Sequence, residues 1–577
     1  MSNFFKPFLK RIGIGIDFGT FKSAIAVIDK HKPHIIEIRP PWAQRHNEKR
    51  MLPTLAGVEI TDKNKLGIFL DDSASLYEPE VKDNYFQITN FKLDVGREHP
   101  KQIPNELKYK LKGKNAIFIH GLVGKVFSRL RDKAIMFYEK KNNLIKITER
   151  LRKWVISVPI GWNYKQRRAT LFAARISALE DVILVEEPVA AAFYLLHQGK
   201  FHLYNGSVLV IDYGAGTCDV ALFTIDNQKI RVLSSISNSW QRGGKDIDEL
   251  LFEYIVDKYS KKVPNKENHV KYSIKNACLY RGKEKMSNLE YQEALTRIRK
   301  LKLDLNNELK KTNDVYMMPN DDYDFKEKNM VVIPGTSISV YFDILEFKNL
   351  IKKEIDEFGK FFLKILIQQK GFVEKLNQVL LIGGSSNIFC FKEVVQSVIK
   401  SILTESNLRI ENIDIPSIEE PEWCVVRGAA LFSETMKQKN IPFSMILSKS
   451  ISFKLQDSDN VEFKEPNTQI HYIATPLPIS GYFWFKVNEK ELEKICIEIY
   501  QDDIIIDIIT ISSGQTKIPA FSEIWVEYEI GIDQIIRFLY IKCNTIKLVI
   551  DNVNHSTYHC ESETSDVIRS REICGVI

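Results

Sequence analysis

Up to about residue 437 the chain alternates short apolar runs with stretches of helical spacing; beyond about residue 450 it does not. Residues 11–29, RIGIGIDFGTFKSAIAVID, read as strand, tight glycine turn, strand: a β-branched run, the turn D-x-G-T, then a second apolar run. Residues 120–142 put Leu122, Val126, Leu130 and the pair Met136 and Phe137 at helical spacing. A short strand is expected at 154–159, an Arg- and Ala-rich helix at 163–178 and a strand at 183–185. Pro188 then opens an Ala-rich helix over 188–198, because proline suits the first helical turn. Residues 207–224 repeat the opening strand, glycine turn and strand. Helices follow near 246–259, 288–311 and 343–370, with an irregular stretch at 312–340. A strand at 379–382 ends in Gly383-Gly384, and a helix begins at Gly428. Alternation of this kind predicts helices packed on sheets, an α/β class.

The texture then changes. SISFKL, GYFWFKV, KICIEIY, EIWVEYEI, IRFLYIKC and TIKLVI are short alternating runs, and helical periodicity nearly vanishes. They predict an antiparallel β domain of roughly eight strands. The domains expected are 1–437, a linker at 438–450 and an all-β domain at 451–577, whose polar tail from 551 carries no helix signal. The aromatic stripe in GYFWFKV reads as sheet core before it reads as a ligand platform.

Composition narrows the class. The 577 residues are 44% hydrophobic and 27% charged, an ordinary globular mix with material for several cores. The net charge of +7 is mild for this length and its basic residues are scattered, so no nucleic-acid partner is expected. Eight cysteines form no C-x-x-C pair and fit no zinc spacing, which suits reduced thiols. No apolar core precedes Asp17, so no secretory leader is expected. The longest apolar run, DDIIIDIITI, is too short and too charged to span a bilayer, and a cytoplasmic protein with no membrane partner is expected.

The chemistry sits in the two glycine turns, about 195 residues apart. Each closes an apolar strand with a carboxylate, Asp17 and Asp212, followed by Gly19 and Thr20 or by Gly214, Gly216 and Thr217. Without side chains in the way, backbone N–H groups can point at an anion. A phosphate held between two such turns would repel the two carboxylates unless Mg²⁺ lay between them, and Mg²⁺ keeps several waters and takes one or two carboxylates. Glu186-Glu187-Pro188 marks a strand-to-helix junction, Gly383-Gly384-Ser385 follows the strand QVLLI, and Gly243-Gly244-Lys245-Asp246 opens a helix whose N-terminus favours anions.

GIDFGT, FKLDVGR, ISVPIGWNYKQRRAT, EEPVAAA, VIDYGAGTCDV, GGKDIDELL, LIGGSS and VVRGAALF occur in this order over residues 11–435. The chain thereby resembles the 70-kDa heat-shock chaperone family of the actin-like ATPase superfamily. The resemblance implies a two-lobed ATPase with ribonuclease H-like lobes, followed by an all-β sandwich domain. It implies ATP or ADP with Mg²⁺, the metal held through waters by Asp17 and Asp212 while Asp219 orders those waters. Lys92 would neutralise charge on the γ-phosphate, and Glu187 would orient, or accept a proton from, the attacking water. Thr20, Phe21, Ala215 and Thr217 belong to the phosphate turns, and Gly243, Gly244 and Lys245 to the next anion site. Lys302, Gly383, Gly384, Ser385, Asn387 and Glu422 would line the nucleoside pocket, and Pro159 and Arg167 match the interdomain switch. Blander readings stay open: Lys92 or Lys302 as solvated lysines, Glu187 as a helix cap, Arg167 as surface charge.

Departures stand beside these matches. Phe21 replaces a small hydroxyl residue, Ala215 a glycine, Arg299 an acid and Asn387 an arginine that would stack on adenine. The expected helical lid has no counterpart before Ile577. Three activities fit: an ATP-driven chaperone acting on a client protein, a nucleotide-gated sensor or scaffold with one partner, and a small-metabolite kinase. The resemblance also implies a J-domain co-chaperone and a nucleotide exchange factor, with the chain itself a monomer or weak dimer.

Overall fold

The computed structural model describes residues 12–29, 31–38, 50–60, 66–70, 85–97, 99–112, 114–142, 152–199, 205–226, 229–232, 238–259, 270–273, 278–281, 284–285, 288–313, 330–332, 339–342, 344–405, 413–435, 443–444, 450–456, 461–463, 470–471, 477–501, 504–513, 516–531, 533–546, 548–552 and 556–559. The chain divides into two compact units. One comprises Met1–Gly161, Ala169–Leu222 and Ser237–Asn440; the other Trp162–Arg168, Phe223–Ile236 and Ile441–Ile577. The expected linker at 438–450 and the irregular stretch at 312–340 lie largely outside the described residues.

Strands β1 (Ile12–Phe18) and β2 (Lys22–Asp29) flank the first glycine turn, and β3 (Arg152–Val158) and β4 (Val182–Glu186) extend their sheet. Its order is Lys32–Ile35, β2, β1, β3, β4. β1 runs antiparallel to β2 and parallel to β3, which sets Asp17 opposite Ser157. A second sheet in the same unit contains β5 (Asn205–Tyr213), β6 (Cys218–Asp226) and β7 (Leu376–Ile382), with β5 between the other two. β5 and β7 are parallel, with Asp212 opposite Ile382. Residues 23–28 of β2 and 207–213 of β5 are buried without alternation, as expected where both faces of a sheet are covered.

Helices α1 (Asn115–Asn142), α2 (Tyr164–Ile176), α3 (Glu187–His197), α4 (Gly244–Tyr259), α5 (Asn288–Asn313), α6 (Ile344–Ile367) and α8 (Cys424–Thr435) fall close to the expected positions, while α7 (Phe391–Glu405) was not expected from the sequence. Helix α8 corrects the sequence reading. Gly428 lies a turn inside α8 instead of opening it, and its role is steric. A Cβ there would stand 1.7 Å from the Ala190 carbonyl oxygen of α3, and a Cβ on Gly15 would stand 2.2 Å from the Ala430 nitrogen of α8. Only glycine lets α8 cross both neighbours this closely. A three-stranded sheet of Leu55–Ile60, Leu66–Leu70 and Tyr85–Thr89 was not legible in the apolar pattern.

In the other unit, strands from Ile451 to His559 form two antiparallel sheets. One carries β8 (Ile451–Leu455), β10 (Lys494–Gln501) and β11 (Ile504–Ser512); the other carries β9 (Ile479–Val487), β12 (Glu523–Ile530) and β13 (Ile536–Cys543). DDIIIDIITI supplies β11, and Val461–Phe463, Ile470–His471 and Ser556–His559 are strands too short for sequence patterning to find. In β12, Ile524, Val526, Tyr528 and Ile530 are buried while Glu523 and Glu527 are exposed, the alternation of a half-buried strand. Phe453 of one sheet meets Phe483 and Tyr528 of the other at 4.8 and 4.9 Å between ring centroids. The GYFWFKV stripe therefore splits: Phe483 and Phe485 are core, while Tyr482 and Trp484 are half-buried on the opposite face. Within this unit Gln501 Oε1 accepts the Tyr164 N–H at 3.3 Å, and Arg167, 2% exposed, donates from Nε to the Trp162 carbonyl at 3.0 Å. Arg167 is thus no surface charge. Among the described residues no helix is long and apolar enough to cross a membrane.

Candidate functional site

The two glycine turns meet inside the first unit. In the β1–β2 turn, Thr54 donates from Oγ1 to the Gly19 carbonyl at 2.9 Å and from its N–H to the Phe21 carbonyl at 2.7 Å. In the β5–β6 turn, the Gly214 N–H donates to the Thr217 carbonyl at 2.9 Å. A Cβ on Gly216 would stand 2.5 Å from Thr20 Oγ1, so the turns touch where one lacks a side chain. The start of α4 is pinned to the second turn: the Gly244 N–H donates to the Gly214 carbonyl at 3.1 Å, and the Lys245 N–H to the Ala215 carbonyl at 2.8 Å. Asp246 Oδ2 accepts the Gly243 N–H at 2.6 Å, which closes the helix start.

Beside these turns lies a buried cluster of charge. Lys92 Nζ donates to Glu187 Oε1 at 2.6 Å, and both are buried. Glu187 is therefore paired, and no side-chain hydrogen bond caps α3. Ser157 Oγ donates to Asp17 Oδ1 at 2.9 Å. Burial first, then repulsion from Glu187, raises the Asp17 carboxyl to about 6 against the pull of Lys92 and Ser157. The same two causes raise Asp219 to about 7, with the Ser239 hydroxyl and Lys92 opposing. Asp212 is raised well above its ordinary value by burial, then by Glu187, Asp219 and Asp17. Burial pulls the Lys92 ammonium down, but Glu187 and then Asp17 outweigh it and hold it above its usual value. Four carboxylates thus face one ammonium. Neither Asp219 oxygen has a hydrogen-bond partner of normal geometry, although both are buried. Orphaned acceptors in an excess of negative charge are what a divalent cation would satisfy. Among the described residues no three His, Cys, Asp or Glu gather tightly enough to ligate an ion directly.

The third part of the site stands on glycines again. Gly383 has φ +80°, and a Cβ there would lie 2.4 Å from Asp212 Oδ1 and 2.5 Å from the Tyr213 carbonyl oxygen. Its N–H donates to the Pro421 carbonyl at 3.2 Å, which brings in the Pro421–Trp423 turn and Glu422. The Gly384–Asn387 turn follows, and a Cβ on Gly244 would meet Ser385 Oγ at 2.6 Å and Lys302 Nζ at 3.5 Å. Lys302 donates to the Gly244 carbonyl at 2.7 Å and pairs with buried Asp248 at 2.6 Å, so it is no solvated lysine. Asn387 is exposed, and its carbonyl accepts from Asn306 Nδ2 at 3.1 Å. Pro159, just past β3, is buried. Sequence reasoning missed Thr54, Ser157, Ser239 and Asp248. Thr54 and Ser157 are lone polar residues in apolar stretches, Ser239 sits in a polar run and Asp248 on a helix, and only the fold aims them at the site.

Comparisons with known proteins point to one family. A family model described as Hsp70 protein matches residues 13–313. The heat shock protein 70 homolog of Acanthamoeba polyphaga mimivirus is 27% identical over 298 residues, covering 51% of this chain and 27% of that protein. A chaperone protein DnaK of Mycoplasma mobile is 26% identical over 387 residues, covering 66% of this chain and 53% of its own length. One from Mycoplasmopsis agalactiae is 22% identical over 574 residues, covering 98% of this chain and 82% of its own length. The chain thus spans about a quarter of the first of these relatives and about half of the second.

Proposed function

The chain belongs to the Hsp70 protein family, and from that premise we propose that it is a Mg²⁺-dependent ATPase of chaperone type, in which nucleotide state sets the affinity of the C-terminal β domain for a client protein. In this reading residues 1–437 are a two-lobed actin-like ATPase and residues 451–577 a β-sandwich that holds the client. The observation that carries it is the touching pair of glycine turns, Thr20 against Gly216, beside a carboxylate cluster short of one cation.

Asp17 and Asp212 would hold hydrated Mg²⁺ and Asp219 its waters; the orphaned oxygens of Asp219 and the raised carboxyls of all three fit that role. When bound, the metal supplies positive charge to the phosphate oxygens. The chain's residues do the rest. Thr20, Thr217 and the bare backbone of Gly214 and Gly216 grip phosphate from two sides. Lys92 sets a buried positive charge beside the reacting group, where low dielectric makes it count. Glu187, held by Lys92, orients water for attack. Gly383, Gly384, Ser385, Lys302 and Glu422 form a wall for the sugar and base. Exposed Asn387 offers the base no cation to stack on, so adenine is held with less help on that face.

The test is ATP turnover by the full chain with Mg²⁺ and with EDTA, beside binding of a labelled extended peptide in ATP and in ADP. Slow Mg²⁺-dependent hydrolysis and weaker peptide binding in ATP are expected. Tight nucleotide binding with no turnover and no peptide binding would instead select a nucleotide-gated scaffold with one fixed protein partner. J-domain proteins and exchange factors are the partners to try once turnover is measured.

A further inference from the structure

Two positions at which the chain departs from the family pattern meet each other. The Arg299 guanidinium carbon lies 3.8 Å from the centroid of the Phe21 ring, well inside cation–π reach. Phe21 belongs to the first phosphate turn: its carbonyl is tied to Thr54, and its neighbour Thr20 touches Gly216. Arg299 stands on α5, one turn before Lys302. Buried Asp248 of α4 holds both cations, Arg299 Nε at 3.3 Å and Lys302 Nζ at 2.6 Å. Lys302 in turn bonds the Gly244 carbonyl. The guanidinium is therefore not a floating surface charge. It is braced from the nucleoside side and laid on a ring that grows from the phosphate side.

We propose that Phe21 and Arg299 form a latch across the mouth of the nucleotide cleft, braced by Asp248, which slows the release of bound nucleotide. The proposal rests on the reading of the cleft as a nucleotide site. Arg299 is a positioning residue in it and makes no bond to a reacting atom. A nucleotide gripped between two touching turns leaves only when the turns part, and parting them breaks the stack. A partly desolvated stack of this strength slows opening about five- to thirty-fold.

The experiment is stopped-flow release of a fluorescent ADP analogue from the full chain in Mg²⁺, chased with unlabelled ADP. Phe21→Leu and Arg299→Gln each speed release about five- to thirty-fold, and the double variant is no faster than either single, because both remove one shared interaction. Phe21→Tyr keeps the stack and releases near the wild-type rate, while Arg299→Lys keeps the Asp248 pair and falls between. Melting curves identify any variant that fails to fold, and Phe21→Tyr and Arg299→Lys then carry the comparison. Unchanged or slower release, additive effects, or Phe21→Tyr as fast as Phe21→Leu overturns the latch alone. A folded wild-type chain that does not bind the analogue overturns the nucleotide reading and the latch together.

Discussion

The Lys92 ammonium and the Glu187 carboxylate meet at 2.6 Å with 5% and 10% of their side chains exposed. One residue comes from a short 3-10 turn, Phe91–Asp94, the other from the first turn of α3. Such a pair holds the Lys92 ammonium charged and both side chains in one orientation, at a desolvation cost that only function or further contacts justify. Asp17 and Asp219 add to the field on Lys92, and Lys92 in turn acts on Asp212, so the ammonium serves four carboxylates at once.

Lys92→Ala removes that charge and is expected to lower single-turnover ATP hydrolysis at least 100-fold, the scale of losing one preorganised electrostatic group. Nucleotide binding falls much less, because the glycine turns are untouched. Turnover within three-fold of wild type would remove Lys92 from the mechanism.

Asp219→Asn separates function from stability. The Asp219 carboxyl is raised from 3.8 to about 7 in the folded chain, by burial and then by Glu187. The folded state thus keeps a proton that the unfolded state has already released. This group's contribution to stability is full below its unfolded value and is lost as pH rises towards 7. Without metal or nucleotide, Asp219→Asn should melt higher than wild type at pH 8, by several degrees, and the gap should close towards pH 5. With Mg²⁺ and ATP the order reverses and turnover is lost. A lower melting temperature for the metal-free variant at pH 8 would contradict the assignment.

Gly383→Ala and Gly384→Ala form a matched pair. Position 383 has φ +80° and no room beside Asp212 and Tyr213, whereas a Cβ at 384 meets nothing within 4 Å. Gly383→Ala should cost about 1–3 kcal/mol of stability and at least ten-fold in nucleotide affinity; Gly384→Ala should change both little. Calorimetric melting and titration read the two quantities, and equal effects at the two positions would be the wrong result.

His471 carries a prediction for the second unit. Its Nε2 lies 2.7 Å from Tyr528 Oη in the aromatic core, and burial lowers its pKa from 6.5. The unfolded chain therefore takes up a proton before the folded one does. Stability from this group is present above about pH 6.5 and lost as pH falls through the lowered value. Amide exchange in β8 and β12 should quicken between pH 7 and pH 5 after correction for intrinsic rates. His471→Phe should blunt that change, and an unaltered pH response in the variant would rule His471 out as its source.

The resemblance carried by GIDFGT, EEPVAAA and VIDYGAGTCDV is legible because glycine turns and carboxylates recur in order along the chain. Lys92 and Glu187 were candidates for the same reason, each inside a short local string. Arg167 and Lys302 were ambiguous, because a lysine or arginine in a basic helix reads alike whether it faces water or a buried acceptor, the Trp162 carbonyl for one and Asp248 for the other. Gly428 was misread as a helix start because glycine commonly flanks helices, while here it answers a contact with Ala190 of another helix. The strands over 52–89 and the two-residue strand at Ile470–His471 were missed because short pieces carry too few residues for a period to show.

What the residues alone determined is local: where the chain turns, most of the stretches that are helix or strand, and where a glycine turn follows a carboxylate, because these depend on neighbours a few positions away. What only the tertiary structure decided is which distant groups share one small volume. Lys92 with Glu187, Thr20 against Gly216, Asp248 between Arg299 and Lys302, and Phe21 under Arg299 are all pairings of groups from separate parts of the chain. Electrostatic coupling and steric fit depend on distance through space, and that distance is set only once the sheets and helices have packed.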